Sequence, residues 1–76
     1  MKLNPIGSNM NELTIEKNGQ SVSILFSYQT PVAGIDIDGF FRTDKKWSVT
    51  TSRHIGKYVG SKCRIVSQEW IDSLIN

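Results

Sequence analysis

The sequence predicts an α+β fold: a small antiparallel β-sheet of about five strands arranged as a meander, with a short helix and a C-terminal helix packed on one face. Alternating apolar and polar side chains along residues 12–28 indicate half-buried strands. The dipeptides Asn-Gly at residues 18–19 and Asp-Gly at residues 38–39 are typical of two-residue hairpins, which join antiparallel neighbours. An apolar stripe over residues 70–75 indicates a helix that packs on the sheet.

Length and composition describe one small globular unit. The chain has 76 residues, of which 38% are hydrophobic, and a formal net charge of +2. We expect a single domain over residues 1–76, in which residues 1–11 form a lead-in segment or an edge strand. The one cysteine, Cys63, excludes an internal disulfide and a cysteine cluster for zinc, which favours a reducing cytoplasm. No apolar run approaches a signal peptide or the ~20 residues of a membrane span, so we expect no membrane partner.

The first hairpin is predicted from residues 12–17 and 21–28. Asn18 and Gly19 between them tolerate the positive φ angles that a tight hairpin turn requires. In the returning strand the even-numbered residues are apolar and the odd-numbered ones are serines, except for Leu25 on the polar side.

The middle of the chain predicts further short strands. Pro31 has no N–H to donate, so it belongs to a turn, a bulge or the start of the next strand, residues 32–37. Residues 40–43 return from the Asp-Gly turn. After a polar turn, the aromatic and β-branched content of residues 47–51 predicts another strand.

Helices are predicted only in the last third of the chain. Thr51 or Ser52 is expected to cap a short helix over residues 53–59, which Gly60 is placed to end. A strand over residues 62–66 follows.

The final helix is predicted over residues 68–75. Ser67 is its expected N-cap, and Glu69 lies in the first turn, where a negative charge is favoured.

Positive charge is concentrated between Gly39 and Gln68, where the sole acidic residue is Asp44. Such a polarised surface suits nucleic acid or an acidic protein partner. The alternative is that these side chains solvate the outer faces of the strands and the helix. The predicted partner-binding residues are the basic ones together with the nearby histidine: Arg42, Lys45, Lys46, Arg53, His54, Lys57, Lys62 and Arg64.

Aromatic side chains lie close to this basic stretch, and aromatic platforms between basic residues hold single-stranded nucleic acids by stacking. A small sheet also needs large side chains to form a core. We therefore expect core packing for at least three of the four aromatic residues Tyr28, Phe40, Phe41 and Trp47.

No catalytic signature is present. His54 is the one histidine, and no cysteine or second histidine lies at a metal-ligand spacing, so we expect no metal, no cofactor and a partly exposed polar role for this side chain. Thr50, Thr51 and Ser52 precede it and could suggest a nucleophile and its base. Helix capping explains these hydroxyl groups more simply. We therefore predict that the protein is not an enzyme and has no catalytic residues.

Two segments carry a resemblance to known proteins: SYQTPVA at residues 27–33 and WSVTTSRHI at residues 47–55. They resemble small uncharacterised proteins of bacteriophages and prophages, and the resemblance covers roughly the middle half of the chain. It implies a phage-encoded accessory protein that acts in the cytoplasm of a bacterial host, and it brings no catalytic role with it. Small phage proteins of this class are often inhibitors of host defence, including anti-CRISPR proteins, which is an argument by association.

The functional expectation is therefore a non-enzymatic inhibitor that binds a host protein or a host defence nucleoprotein complex, such as a CRISPR effector. Direct binding of nucleic acid is the alternative. The protein is expected to be a monomer or a homodimer formed through an exposed edge strand.

Overall fold

The computed structural model describes residues 3–75 of the chain, so the first two residues of the predicted lead-in segment or edge strand, residues 1–11, lie outside them. These residues form six strands and two helices. In chain order they are β1 (Leu3–Gly7), β2 (Met10–Lys17), β3 (Gln20–Ser27), β4 (Thr30–Asp36), β5 (Gly39–Thr43), α1 (Val49–Val59), β6 (Arg64–Val66) and α2 (Gln68–Ile75). The predicted α+β class is confirmed.

The strands lie side by side in the order in which they occur in the chain. Strands β1 to β5 form an antiparallel meander, as predicted. Strand β6 pairs in parallel with β5, with Arg42 opposite Ile65. The sheet is therefore mixed, because α1 carries the chain from the end of β5 back to the start of β6 and a parallel neighbour needs such a crossover.

The first predicted glycine turn has the expected left-handed backbone angles, and the second does not. Asn18 and Gly19 have φ angles of 54° and 78°, as expected for a two-residue hairpin that needs positive φ at both positions. The second turn is shifted by one residue from the prediction. Ile37 and Asp38 form it, and Gly39 opens β5 with a φ of 107°.

The two helices cover opposite faces of the sheet, which corrects the prediction that both lie on one face. Ile24 and Leu25 are adjacent in β3 and therefore point to opposite sides. Leu25 belongs to a core with Ile55 of α1, whereas Ile24 belongs to a core with Ile71 of α2. Leu25, the apparent exception in the alternation, thus marks a second covered face.

Helix α1 is longer than predicted and replaces the strand expected over residues 47–51. Ser48, rather than Thr51 or Ser52, is its N-cap, and the Ser48 side chain accepts a hydrogen bond from the Thr51 N–H at 3.2 Å. Gly60, with a φ of 66°, ends the helix as predicted. The strand propensity of the Val-Thr-Thr segment is overridden because Ser48 satisfies the first turn and the helix buries Thr51 and Ile55 against the sheet.

Helix α2 has the predicted bounds. Ser67 Oγ accepts a hydrogen bond from the Trp70 N–H at 3.1 Å, so the predicted cap is also confirmed. Ile71 is fully buried, while Trp70 retains 37% of its exposure and contacts the ring of Phe41 edge-on at 5.1 Å between centroids. Neither helix is long and apolar enough to cross a membrane.

Candidate functional site beside helix α1

Many of the predicted partner-binding residues lie on α1 and its two connections. Lys45 and Lys46 lie between β5 and α1, Arg53 and Lys57 lie on α1, and Lys62 lies between α1 and β6. All five side chains are exposed. We call these five residues the basic surface.

Three predicted residues do not belong to it. Arg42 is partly buried on the sheet. Arg64 forms an ion pair with Asp36 and lies 5.7 Å from the ring centroid of Phe41, on the face that α2 covers. His54 was expected to be partly exposed, but it is only 8% exposed and its ring points into the protein.

The two segments that carry the resemblance meet in space. Ser27, at the end of β3, lies under α1 and is 1% exposed. Its Oγ is 3.0 Å from Thr51 Oγ1 and 2.8 Å from His54 Nδ1. Ser48 Oγ donates to Thr51 Oγ1 at 3.2 Å, which links the helix cap to the same group. We call Ser27, Ser48, Thr51 and His54 the hydroxyl–imidazole cluster.

A serine within hydrogen-bond distance of a histidine is also the geometry of a nucleophile and its general base. Here the Ser27 hydroxyl is closed off from solvent, so a substrate could not reach its oxygen without displacement of α1. The arrangement instead satisfies polar groups inside an otherwise apolar core. The cluster therefore fixes the position of α1, and of the His54 ring, against the end of β3.

Tyr28 lies at the protein surface next to the hydroxyl–imidazole cluster. Tyr28 is 49% exposed, and its ring centroid lies 5.9 Å from that of the buried His54 ring. Its φ angle is 59°, in the left-handed region that bulky residues rarely adopt. The Tyr28 N–H donates to the carbonyl of Asn9 at 2.8 Å, and Asn9 also has a φ of 59°. Two adjoining turns thus hold uncommon backbone angles, a pattern that is often found at functional sites.

A surface depression of about 520 Å³ lies at this end of the sheet. Its lining residues are uncharged, and their side chains include three amides, two hydroxyl groups and one aromatic ring: Asn9, Asn11, Tyr28, Gln29 and Thr30. Amides supply both donors and acceptors, and the phenol ring supplies a flat apolar surface. The depression is therefore suited to a flat, polar ligand.

The other aromatic residues near the basic surface serve packing, as predicted for at least three of the four. Phe41 is fully buried, and Phe40 and Trp47 pack against the core on the α1 side. Lys45 Nζ lies 4.4 Å from the ring centroid of Trp47, in cation–π geometry. Tyr28 is the member of the four that presents its ring to solvent.

Gln68 forms a second connection between residues 27–33 and residues 47–55, besides the hydroxyl–imidazole cluster. Its Nε2 donates to the Pro31 carbonyl at 2.7 Å, and its Oε1 accepts from Trp47 Nε1 at 3.3 Å. The start of α2 therefore holds the start of β4 and the segment before α1 in fixed positions.

Tyr58 contributes the other polar contact of α1 with the sheet. Its hydroxyl donates to Glu12 Oε2 on β2. Burial raises the pKa of the Tyr58 phenol above its usual value, and the hydrogen bond to Glu12 and the charge of that carboxylate raise it further. The phenol therefore stays protonated and holds α1 to β2 at neutral pH.

Sequence reasoning found the basic surface but not the cluster or the depression. Ser27 and His54 are far apart in the chain, so no local spacing brings them together. The alternation pattern predicts a strand that ends at Tyr28, whereas Tyr28 lies in the turn between β3 and β4. The available signal was that Ser27 lies on the same face of β3 as the apolar Leu25. An apolar residue on that face indicates that another element covers it, and Ser27 with it.

Within residues 3–75 no group of three or more His, Cys, Asp or Glu side chains is placed to share a metal ion.

Fold and site together define a small α+β protein with a basic helix on one side of a mixed sheet and an uncharged depression at one end of it. Residues 1–73 match the model of a family of unknown function, DUF8033, and the chain belongs to this family. No curated protein and no solved structure matches the chain.

Proposed function

We propose that the protein is a non-enzymatic binding protein that docks its basic surface on an anionic macromolecular partner. The leading partner is a nucleoprotein complex of host defence, such as a CRISPR effector, which the protein would inhibit. The observation that carries the proposal is the placement of exposed basic residues on α1 and on both of its connections.

Charge distribution supports an anionic partner. No Asp or Glu occurs from Lys45 to Lys62, so every charge that this segment contributes to the surface field is positive. Such a field speeds encounter with an oppositely charged surface and disfavours other partners. Helix α1 is held rigidly by the hydroxyl–imidazole cluster and by Tyr58, so its charges keep a fixed arrangement.

The phage origin and the role as an inhibitor of host defence rest on the resemblance of residues 27–33 and 47–55 to phage and prophage proteins. Action in the bacterial cytoplasm is part of the same proposal. An edge-strand homodimer also remains a prediction, for which β1 offers an edge with exposed side chains along its length.

Direct binding of nucleic acid is the second candidate function. Tyr28 favours this candidate, because it is about half exposed and its ring lies beside that of His54. His54 belongs to α1, the helix that also carries Arg53 and Lys57. Basic residues together with an exposed aromatic ring are the usual elements of single-strand binding.

Binding measurements with labelled single- and double-stranded oligonucleotides separate the two candidates. An inhibitor of a nucleoprotein complex is expected to bind free oligonucleotides weakly, and only at low salt, while it blocks target cleavage by a purified, guide-loaded effector. Tight oligonucleotide binding near physiological salt would establish direct nucleic-acid binding instead. In that case affinity should fall steeply with salt, and each lysine lost should reduce the salt slope by about one unit.

Charge-reversal substitutions test whether the basic surface is the docking site. Lys45→Glu combined with Lys46→Glu should abolish partner binding without unfolding the protein, because both side chains are exposed in a connection. Lys57→Glu and Lys17→Glu form a matched pair with equal charge change, and only Lys57 lies on α1. If both members of the pair weaken binding equally, net charge is responsible and the basic surface is not a docking site.

A further inference from the structure

We propose that the depression beside Tyr28 binds one unpaired nucleobase of a single-stranded nucleic acid. The inference deepens the proposed function, on which it rests, because it names the part of a nucleoprotein partner that this end of the sheet would contact. Its volume, about 520 Å³, lies in the range of small-molecule sites.

Stacking is the first requirement, and the Tyr28 ring meets it. Tyr28 is 49% exposed, and its ring lies beside the His54 ring, with centroids 5.9 Å apart and planes tilted by 44°. His54 is held in turn by Ser27, the residue that precedes Tyr28 in the chain. The turn backbone is fixed as well, through the hydrogen bond from the Tyr28 N–H to Asn9. Stacking on a ring that is already in place loses little conformational entropy on binding.

Hydrogen bonding to a base edge is the second requirement. Asn9, Asn11 and Gln29 line the same depression as Tyr28, and Thr30 adds a hydroxyl group. A side-chain amide places a donor and an acceptor side by side, which matches the paired donor and acceptor on the edge of a base. The depression therefore offers a flat surface and polar partners around it.

Charge favours a nucleotide over a neutral sugar, which also stacks on aromatic rings. The lining of the depression is neutral, as the uncharged base requires. Positive charge lies on the helix that packs beside Tyr28, since α1 carries the exposed Arg53 and Lys57 as well as His54. These charges would not attract a neutral sugar, whereas they would attract the phosphates on either side of a base.

The test compares two probes that differ only in their bases. A hexamer of deoxythymidine and an abasic hexamer of the same length carry the same phosphates, so their difference in affinity measures contact with bases. At low salt we expect the thymidine hexamer to bind more tightly, and the side-chain amide signals of Asn9, Asn11 and Gln29 to shift in NMR spectra only with this probe.

Tyr28→Gly is the decisive variant. Glycine accepts a φ of 59° without strain, so the variant should fold, and loss of the ring should weaken thymidine-hexamer binding by roughly 5- to 150-fold, to the level of the abasic probe. Tyr28→Phe keeps the ring and should keep most of the affinity. Asn18→Gly is the matched control, because Asn18 has a φ of 54° in the turn between β2 and β3 and does not line the depression.

The outcomes separate this inference from the proposed function. Equal binding of the two hexamers, including failure of both to bind, would overturn the nucleobase site. So would a loss of affinity in Asn18→Gly as large as in Tyr28→Gly. Neither result would affect docking through the basic surface, which is judged by the Lys45→Glu and Lys46→Glu reversals and by inhibition of the partner complex. A base-dependent difference that disappears in Tyr28→Gly and survives in Asn18→Gly supports the site.

Discussion

The two faces of the sheet differ in the kinds of side chains that are buried against the helices. On the α2 side, Val22, Ile24, Phe41 and Ile71 form an apolar core, and the ion pair of Arg64 with Asp36 on this face is partly exposed. On the α1 side, apolar residues such as Leu25 and Ile55 share the interior with the hydroxyl–imidazole cluster and with the contact between Tyr58 and Glu12. An apolar core requires side chains whose shapes fit together, whereas a buried polar network also specifies the distances and orientations of its hydrogen bonds. The α1 side is also the side that holds the proposed binding groups.

The largest difference between the faces should appear when one large side chain is removed from each. Phe41→Ala deletes a fully buried ring that packs on Gly34 and Trp70, and it should cost about 3–5 kcal/mol of unfolding free energy. Phe40→Ala, at the neighbouring position on the α1 side, should cost clearly less because Phe40 is only partly buried. Chemical denaturation measures both. Equal losses would show that the two faces contribute alike.

Gly34→Ala tests how tightly the α2 side is packed. A Cβ atom at Gly34 would lie closer than 3.0 Å to the Ser23 carbonyl oxygen and to the Phe41 ring, so backbone and ring would both have to shift. We expect a loss of about 3 kcal/mol. Gly56→Ala is the control, since a Cβ there meets no atom within 4 Å and alanine is favoured in a helix. Its melting temperature should be equal to or above that of the native protein.

Ser27→Ala tests the polar interior. It leaves His54 Nδ1 and the Thr51 hydroxyl without their shared partner and should cost about 1–3 kcal/mol. The variant should also loosen the Tyr28 ring, because His54 loses the contact that fixes it. Relaxation of the ring signals by NMR measures the second effect. A destabilised protein with an unchanged Tyr28 ring would show that the cluster serves α1 alone.

The smallest effect is expected at high pH, through Tyr58. Because its pKa is raised in the folded protein, the unfolded chain loses the phenol proton first, and the contribution is fully present below pH ~10 and lost as pH rises above it. The native protein should therefore lose more stability between pH 9 and pH 11 than Tyr58→Phe, which has no proton to lose. Parallel pH dependences in urea denaturation would contradict this assignment.

The apolar face was readable from the sequence, and the polar face was not. Alternation in β3, the Asn18 and Gly19 turn, and the Ser67 cap each depend on neighbours in the chain, so local rules predicted them. The position of α1 depends on Ser27 meeting Thr51 and His54 across the fold. No local pattern contains that contact, and the β-branched residues of the first helical turn pointed to a strand instead. The depression beside Tyr28 could not be predicted for the same reason, because Tyr28 and His54 come together only in the folded chain.

The parallel pairing of β5 with β6 also bears on the order in which the chain folds. Strands β1 to β5 are joined by tight turns, so each pairing closes only a short loop. Strand β6 finds β5 only after α1 and its connections have been placed, at a larger cost in loop-closure entropy. We therefore expect the hairpins to form first and β6 with α2 to dock last. Substitutions in β6 should then speed unfolding and leave the folding rate nearly unchanged, which stopped-flow measurements on Val66→Ala would show.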